Sequence, residues 1–373
     1  MPRVLLFRSE LLPLSETFIA GQAAALRRYE PWFAGLKRVP GGLVLDERRV
    51  IRATEKDSLR ERIARRIYLR AGLAPEFLRR IEAAGPDLIH AHFATDACAA
   101  LAIEERLRVP MMVTLHGYDV TSDDAALRGS RVGRFFLRRR KALWERARVF
   151  VCVSEWIRKK AVERGFPEEK LWVHRIGIDV DLFCPDAEFV KEPLVLFVGR
   201  LVEKKGCAYL LRAMRTVEEL MPEARLVVLG DGPLRGVLEV EARALARCEF
   251  AGAASADAVR GWMRRAAVVA VPSVVAADGD AEGLCTVVCE AQAIGVPVMG
   301  FRGAWMAVED GETGLLVAER DEGALPEAIL TLLRDETLAA RMGAAGRARA
   351  ERLLNLRTQT ALLEDKYDEV LRG

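Results

Sequence analysis

Short apolar runs alternate with longer amphipathic segments along the whole chain. Each run ends in glycine or a polar residue, and we predict strands at Val4–Phe7, Leu88–His92, Met111–Leu115, Val149–Val153, Leu194–Val198, Arg225–Leu229, Glu249–Ala251, Val268–Val271, Pro297–Gly300 and Leu315–Ala318. Apolar residues at helical spacing predict helices between them, among others at Phe18–Arg28, Ala208–Leu220, Leu234–Ala246, Ala258–Ala266 and Cys285–Ile294. Apolar strands that alternate with helices are typical of parallel sheets buried on both faces. The pattern therefore predicts a doubly wound α/β fold.

The alternation restarts once, after a polar, proline-bounded stretch at residues 179–193. A chain of 373 residues also suits two domains of about 150–200 residues each. We therefore expect a Rossmann-like domain at residues 1–188, a second at 189–355, and a C-terminal helix at 356–373 that packs back toward the first. Because open α/β sheets bind ligands at the carboxyl ends of their strands, the predicted site is a cleft between the two domains.

The composition indicates a soluble globular protein, with 51% hydrophobic and 30% charged residues. It excludes a disordered, collagen-like or disulfide-scaffold chain. No apolar run reaches the roughly 18 residues that a membrane-spanning helix needs, and the apolar stretch before Arg8 is too short for a signal peptide. Seven scattered cysteines are typical of reduced thiols, so we expect a cytoplasmic protein.

The net charge of +3 conceals an asymmetry between the halves of the chain. Residues 1–188 hold 34 basic and 26 acidic side chains, whereas the remainder holds 23 and 28. Nine of the basic residues lie between Arg128 and Arg148, in a segment that predicts an amphipathic helix. Two interpretations of this helix stay open: an ordinary surface helix, or a peripheral contact with an anionic membrane that presents a lipid-linked acceptor. No basic motif of a nucleic-acid-binding module is found, so nucleic acid is not an expected partner.

Three of the four histidines lie at the carboxyl ends of predicted strands. His90 and His92 close one strand, and His116 directly follows another. The His-x-His spacing puts two imidazoles on one face of a strand, so a metal-dependent hydrolase with His116 as a third ligand is one interpretation. In the other interpretation, His90 and His92 only satisfy backbone groups at the strand end.

Two segments have the residue types of a ligand site, and the second of them suits a diphosphate. Ser15 precedes the first predicted helix, and we expect it to cap that helix, whose free N–H groups would face a ligand. In the second half, Gly199 permits close backbone approach, Arg200 offers paired donors and Lys205 adds a point charge before a helix. This loop has neither a Walker nor a dinucleotide-binding glycine pattern, which disfavours nucleotide hydrolysis and hydride transfer.

Glu282 and Glu290 flank the start of a predicted helix. If both were helical they would lie about 12 Å apart, which is wider than the roughly 5–9.5 Å between the carboxylates of glycosidases. The separation suits one carboxylate at each end of a nucleotide-sugar, with the diphosphate at the helix amino terminus between them. As an isolated pair, they fit two solvated surface glutamates as well.

Together these segments resemble the family-four glycosyltransferases, which are retaining nucleotide-sugar enzymes of the GT-B fold. The resemblance spans nearly the whole chain in family order and rests on Ser15–Ile19 with Gln22, His90–Asp96, Thr114–Val120, Val151–Ser154, Gly177–Asp179, Gly199–Gly206, Leu229–Pro233, Val271–Ser273, Glu282–Glu290, Gly295–Val298 and Asp310–Val317. Ser15–Ile19 and His116–Asp119 are most similar to the bacterial branch that builds exopolysaccharide, capsule or colanic-acid-type repeats.

The resemblance implies retaining transfer of a sugar from a nucleotide-diphosphate-sugar, with UDP or GDP as the expected nucleotide and no required metal or other cofactor. It implies catalytic roles for His116, beside the anomeric carbon, and for Glu282, which faces the donor sugar, while Glu290 binds the ribose. The implied donor-binding residues are Gly199, Arg200, Lys205, Glu282, Gly283, Leu284, Cys285, Thr286 and Glu290. The implied acceptor-binding residues are Ser15, Glu16, Thr17, His90, His92 and Asp96.

Two departures from the family pattern keep other functions open. Cys285 stands where the family more often has Pro or Gly, and Trp305 and Met306 occupy the Pro and Glu positions of a loop that flanks the donor. A catalytically weak nucleotide-sugar-binding protein is therefore an alternative, beside the metal-dependent hydrolase. The expected partners are the nucleotide-sugar donor, a glycan, lipid-linked or small-molecule acceptor, and an anionic membrane at the cytoplasmic face of the inner membrane.

Overall fold

The computed structural model describes residues 1–55, 58–303 and 307–373. This part of the chain divides into two compact units, one formed by residues 1–177 and 356–373 and the other by residues 178–355. Our sequence-based boundary lay at residue 188. Residues 178–188 belong with the second unit because the Arg347 guanidinium donates hydrogen bonds to the carbonyl oxygens of Val180 and Phe183, each at 2.8 Å.

The first unit contains a central parallel sheet. Its strands are β1 Arg3–Phe7, β2 Glu10–Leu11, β3 Glu30–Gly35, β4 Lys37–Arg38, β5 Val50–Arg52, β6 Leu88–His92, β7 Met111–Leu115, β8 Val149–Cys152 and β9 Leu171–Val173. Among the described residues, seven of them pair in the order β5-β3-β1-β6-β7-β8-β9, and β2 pairs with β4. Val4 lies opposite Pro31 on one side and Leu88 on the other. The strand order therefore reverses direction between β1 and β6, which defines a topological switch point.

The helices of the first unit begin where the strands end. Those that precede the second unit are α1 Thr17–Ala25, α2 Leu59–Ala71, α3 Pro75–Ala84, α4 Ala94–Leu107, α5 Tyr118–Thr121, α6 Asp124–Gly129, α7 Arg131–Arg146 and α8 Glu155–Glu163. The strands β6 and β7 are buried along their whole length, as expected for the middle of a parallel sheet that is covered on both faces.

The second unit repeats this design with six strands in the described residues. They are β10 Glu192–Val198, β11 Arg225–Leu229, β12 Cys248–Gly252, β13 Ala266–Val271, β14 Val298–Phe301 and β15 Gly314–Val317. Its helices are α9 Cys207–Leu220, α10 Arg235–Glu241, α11 Ala256–Arg265, α12 Thr286–Ile294, α13 Ala324–Arg334 and α14 Glu336–Leu353. The strands are parallel in the order β12-β11-β10-β13-β14-β15, which is the Rossmann arrangement with its switch point between β10 and β13. The predicted doubly wound α/β fold is confirmed.

The last helix, α15 Leu356–Arg372, completes the core of the first unit. The buried Glu364 carboxylate accepts hydrogen bonds from the backbone N–H groups of Arg27 at 2.8 Å and Arg28 at 2.6 Å. The Tyr367 ring packs edge-on against Tyr29, with 5.0 Å between ring centroids, and is fully buried. Residues about 340 positions apart in the chain thus share one hydrophobic core.

Candidate active site

The switch point of the second unit brings together the loops that follow β10 and β13. The loop after β10 ends at Gly206, which has a φ of +66°. A Cβ atom at Gly206 would lie 1.8 Å from the carbonyl oxygen of Pro272, the residue that directly follows β13. Only glycine permits this close approach of two backbones. It sets Lys205, the preceding residue, beside the loop that carries Glu282.

Lys205 and Glu282 form a largely buried ion pair. Lys205 Nζ lies 3.1 Å from Glu282 Oε1, and the two side chains are 17% and 9% exposed. Burial raises the pKa of Glu282, but Lys205 and Lys204 together hold it below its usual value. Burial also lowers the pKa of Lys205, but the surrounding acidic groups, with Glu282 foremost, together raise it above its usual value. Both groups are therefore charged at neutral pH.

The amino terminus of α12 directly follows this ion pair. Cys285 occupies the N-cap position, and its side chain forms no capping hydrogen bond. Its thiol is buried, and burial raises its pKa, so it stays protonated at neutral pH. Gly283 is also buried, whereas Leu284 and Thr286 are partly exposed. The backbone N–H groups at the positive end of this helix are therefore left without a side-chain cap.

Glu290 lies in the second turn of α12 and is partly exposed. Burial raises the pKa of its carboxyl to about 7, although the charge of Lys205 acts in the opposite direction. Lys205 thus acts electrostatically on both glutamates that were singled out by their spacing. Arg200 is exposed, and none of the described carboxylates forms an ion pair with it, while a Cβ at Gly199 would lie 3.4 Å from the Lys205 side chain.

The loop that departs from the family pattern is described only at its edges. Arg302 pairs with Asp310, with 2.6 Å between Nη2 and Oδ2. Trp305 and Met306 lie outside the described residues.

The switch point of the first unit is organised by Arg8, which follows β1. Its guanidinium donates to Glu16 Oε1 at 2.6 Å through Nη2 and to Oε2 at 3.0 Å through Nε, and it also pairs closely with Asp96. Asp96 additionally accepts a hydrogen bond from the Ser9 backbone N–H at 2.8 Å. Burial lowers the pKa of Arg8, but the two carboxylates raise it well above its usual value. Glu16 and Asp96, both predicted acceptor-binding residues, are therefore held by one buried cation.

His90 is fully satisfied inside the first unit. Its Nδ1 lies 2.6 Å from the Tyr367 hydroxyl and its Nε2 lies 2.6 Å from Thr114 Oγ1. Burial, reinforced by His174, lowers the pKa of His90 to about 3, so the ring is neutral. These contacts fit the interpretation of His90 as a structural histidine better than a role in binding.

His92 and His116 form a stacked, hydrogen-bonded pair. Nδ1 of His92 lies 3.0 Å from Nε2 of His116, and the ring centroids are 5.3 Å apart. Burial holds the pKa of both imidazoles well below its usual value. The Asp119 carboxylate anchors the chain here, because it accepts hydrogen bonds from the backbone N–H groups of His116 at 3.2 Å and Gly117 at 2.9 Å. His116 is thus a neutral, oriented imidazole at a strand end.

The histidines do not form a metal site in the part of the chain that the structure describes. No group of three or more His, Cys, Asp or Glu side chains there could hold a metal ion. Both ring nitrogens of His90 already have partners, and His92 and His116 are hydrogen-bonded to each other. The metal-dependent hydrolase therefore has no structural support.

The expected helix cap at Ser15 is wrong. Ser15 lies inside a 3-10 turn at Leu14–Glu16, and α1 begins at Thr17 with Glu16 as N-cap and no side-chain capping bond. The Glu16 carboxylate cannot cap because it binds Arg8 instead. Ser15 and Thr17 are exposed at this helix start.

Several residues that shape these sites carry no role predicted from the sequence. Arg8, Asp119 and Tyr367 are buried or nearly so and hold the predicted residues in place. Arg8 had one signal, since a charged residue that closes an apolar strand at its ligand-facing end is unusual. Phe93 had none. Its φ of +66° is strained for a residue with a side chain, and its ring lies 4.5 Å from His116.

Comparison with known proteins identifies the family. The family model described as Glycosyltransferase Family 4 matches residues 23–182, and the model described as Glycosyl transferases group 1 matches residues 192–335. Together the two models cover most of the chain. The chain belongs to the family-four glycosyltransferases and is a glycosyltransferase.

Individual relatives agree with this assignment. WcaL of Escherichia coli, named for colanic acid biosynthesis, is 29% identical over 67% of this chain and 62% of its own length. A GDP-mannose-dependent phosphatidylinositol monomannoside mannosyltransferase of Mycolicibacterium smegmatis is 34% identical over 54% of this chain and 57% of its own. The chain thus spans about three fifths of these two relatives. HepE of Anabaena, solved with UDP and glucose, aligns over 99% of this chain and 100% of its own with a TM-score of 0.77 and 19% identity, which shows the GT-B fold.

Proposed function

We propose that this glycosyltransferase moves a sugar from a nucleoside diphosphate sugar to an acceptor of cell-surface polysaccharide synthesis, with retention of the anomeric configuration. The observation that carries the donor half of this proposal is the buried Lys205–Glu282 pair at 3.1 Å, which directly precedes the uncapped amino terminus of α12. A buried cation beside a helix amino terminus is suited to an anionic leaving group. The named functions of the colanic acid and mannosyl relatives are consistent with this substrate class.

We propose that the donor binds at the switch point of the second unit, where the loops after β10 and β13 meet. In this arrangement Arg200 and Lys205 hold the diphosphate together with the backbone N–H groups of residues 283–286. Glu282 accepts hydrogen bonds from the hydroxyls of the donor sugar, and Glu290 does so from the ribose. An exposed guanidinium without a carboxylate partner among the described residues, as at Arg200, is ready to form paired hydrogen bonds to phosphate oxygens.

The chemistry of transfer is electrostatic in this proposal. Breaking the anomeric C–O bond develops positive charge on the sugar and negative charge on the departing diphosphate. Arg200, Lys205 and the helix dipole stabilise the diphosphate, so no protein nucleophile is required to drive its departure. The proton of the acceptor hydroxyl passes to the departing phosphate oxygen as the new C–O bond forms on the same face. His116, which we propose as a catalytic residue, is neutral and hydrogen-bonded to His92, so it adds no positive charge to the reaction.

The acceptor is assigned to the first switch point. Ser15 and Thr17 are exposed there, while the Arg8 guanidinium fixes Glu16 and Asp96 behind them. We propose that this surface binds a glycan or lipid-linked hydroxyl acceptor. Because all seven cysteines are free, we also propose that the enzyme works in the reducing cytoplasm.

Titration calorimetry with UDP-, GDP- and ADP-sugars tests the donor site. We expect one nucleotide class to bind, with affinity reduced about tenfold or more in Arg200→Gln, because a charge-assisted hydrogen bond is lost. Glu249→Gln, an exposed glutamate of the same unit, is the matched control and should bind as the unaltered protein does. Absence of binding by all three classes would contradict the proposed donor site. Nuclear magnetic resonance of the product's anomeric proton then tests retention.

A further inference from the structure

The basic helix α7, which the sequence offered as a membrane contact, is largely engaged within its own unit. Two of its large apolar residues, Phe136 and Leu143, are buried, whereas Val132 is 50% exposed. Arg140 pairs with Asp124 at 3.1 Å, and Arg146 pairs closely with Glu104. None of the helices in the described ranges is both long and apolar enough to span a membrane. Two of the arginines of α7 are thus already engaged in ion pairs within the unit.

Helix α2 presents the opposite arrangement, because its aliphatic residues face away from the protein. Leu59, Ile63 and Ile67 are 66%, 46% and 46% exposed. They recur every four residues, so they form one continuous row along the helix. Leu73, just beyond the end of the helix, is 61% exposed as well. An amphipathic helix of a water-exposed surface normally turns such a row toward the core.

The opposite side of α2 explains why this row stays outside. Among the described residues of this helix, Tyr68 is the one that is buried. Its hydroxyl donates to the Ala99 carbonyl oxygen at 2.8 Å, and its ring packs edge-on against Phe77 at 5.5 Å. Ser58 and Glu61 form a capping box at the amino terminus. The helix is therefore anchored firmly through one side, and its exposed row results from a defined orientation.

Among the described residues of α2, the charged side chains that border the aliphatic row are arginines. Arg62, Arg66 and Arg70 form a parallel row at the same four-residue spacing, and each is exposed. Arg60 is exposed as well, and none of the described carboxylates pairs with any of these four arginines. Glu61, the acidic residue of α2, is used in the capping box. An aliphatic row bordered by unpaired arginines is complementary to an anionic lipid surface, where the aliphatic groups insert and the guanidinium groups reach phosphates.

We propose that α2 is a membrane-docking helix that binds the surface of bilayers rich in anionic phospholipid. Leu59, Ile63 and Ile67 enter the interface between headgroups and acyl chains, and Arg62, Arg66 and Arg70 bind lipid phosphates. Docking would bring the first unit to the membrane that carries a lipid-linked acceptor. This biological role of docking rests on the proposed function. The docking itself depends only on the surface of α2.

Vesicle co-sedimentation of the full chain tests the proposal. We expect binding to phosphatidylcholine vesicles that contain phosphatidylglycerol, and little binding to phosphatidylcholine alone. The triple variant Arg62→Gln/Arg66→Gln/Arg70→Gln should bind about a hundredfold more weakly, since each basic residue near an anionic surface contributes about a fivefold factor. Ile63→Ser/Ile67→Ser, which keeps every charge, should also bind at least about tenfold more weakly.

A matched control removes the same charge from α7. Arg131, Arg138 and Lys141 are exposed there, and no ion pair holds them within the described residues. Arg131→Gln/Arg138→Gln/Lys141→Gln should therefore retain nearly all vesicle binding. An equal loss in this control would overturn the assignment to α2, because it would show attraction by net charge alone. Unchanged binding of both α2 variants would overturn it too.

Hydrogen exchange and donor titration separate the remaining outcomes. Exchange of the amides in residues 59–71 should slow when anionic vesicles are added. If sedimentation velocity instead shows a dimer that Ile63→Ser/Ile67→Ser dissociates, the row is a contact between two copies and the lipid proposal is wrong. The α2 variants should bind the nucleotide-sugar donor normally, so failure of docking and failure of the donor site are read independently.

Discussion

Glu290 allows a direct test of the electrostatics in the second unit. Burial raises the pKa of its carboxyl from 4.5 to about 7, despite the opposing charge of Lys205. In the unfolded chain this carboxyl loses its proton near its ordinary pKa, whereas in the folded protein it keeps the proton until about pH 7. Substitution of Glu290 by Gln removes the titration and preserves the shape of the side chain.

The sign of the effect follows from the proton count in each state. Between about pH 4.5 and pH 7 the folded protein binds more protons at this site than the unfolded chain does. Ionisation of Glu290 therefore lowers the free energy of unfolding as the pH rises through this window. At about 1.4 kcal/mol for each pKa unit, the loss amounts to about 3 kcal/mol. Glu290→Gln should lack this loss.

The assay is urea unfolding at about pH 5 and about pH 8, with pulsed hydrogen exchange in β10 and β13 to report on the second unit alone. Between these two pH values the free energy of unfolding of the unaltered protein should fall by about 2.5 kcal/mol more than that of Glu290→Gln, because the unfolded carboxyl is already largely ionised at about pH 5. Glu249→Gln, which changes an exposed glutamate, should follow the unaltered protein. Parallel pH profiles for Glu290→Gln and the unaltered protein would refute the reasoning, since they would show that burial does not control this carboxyl.

Two further predictions concern the loop that holds Lys205. Lys205→Met leaves the buried Glu282 carboxylate without its partner, so the free energy of unfolding at neutral pH should fall by about 3–5 kcal/mol, and adding Glu282→Gln should recover part of this loss in a double-mutant cycle. Strictly additive effects would contradict a direct pair. Gly206→Ala should lower the melting temperature of the second unit by an amount equivalent to about 2 kcal/mol or more, because its Cβ would meet the Pro272 carbonyl oxygen. Gly236→Ala in α10, where a Cβ meets no atom within 4 Å, should raise it slightly; equal shifts in the two variants would be inconsistent with the proposed close approach.

The central strands could be predicted because their continuous apolar sequences indicate a strand that is buried on both faces. Runs such as Val4–Phe7 and Leu194–Val198 are apolar at successive positions, and all of these residues except Val198 are buried in the middle of a sheet. Three strands of the first unit's main sheet, β3, β5 and β9, were not predicted. Strand β3, Glu30–Gly35, mixes a charge, a proline and a glycine with its apolar residues. Strand β3 is stabilised by pairing with β1. The sequence of β3 alone does not indicate this pairing.

The candidate sites show the same limit at longer range. Strand ends and helix starts pointed to Lys205 and Glu282, and the structure does bring these two side chains together. Their roles in donor binding stay predictions. Nothing in the local sequence around His90 indicated that both of its nitrogens would be satisfied, because one partner is Tyr367, 277 residues away. Contacts of this kind arise only when the chain is folded.

The return of α15 to the first unit has a consequence for the order in which the chain can fold during synthesis. The second unit is continuous, from residue 178 to residue 355, so all of it leaves the ribosome before Tyr367 does. Until then His90 lacks the hydroxyl partner of its Nδ1, and the face of Tyr29 that Tyr367 covers is open to water. The unit that is translated first is thus the last to be completed. A released chain that ends at residue 355 would contain the whole second unit, whereas its first unit would still expose apolar surface.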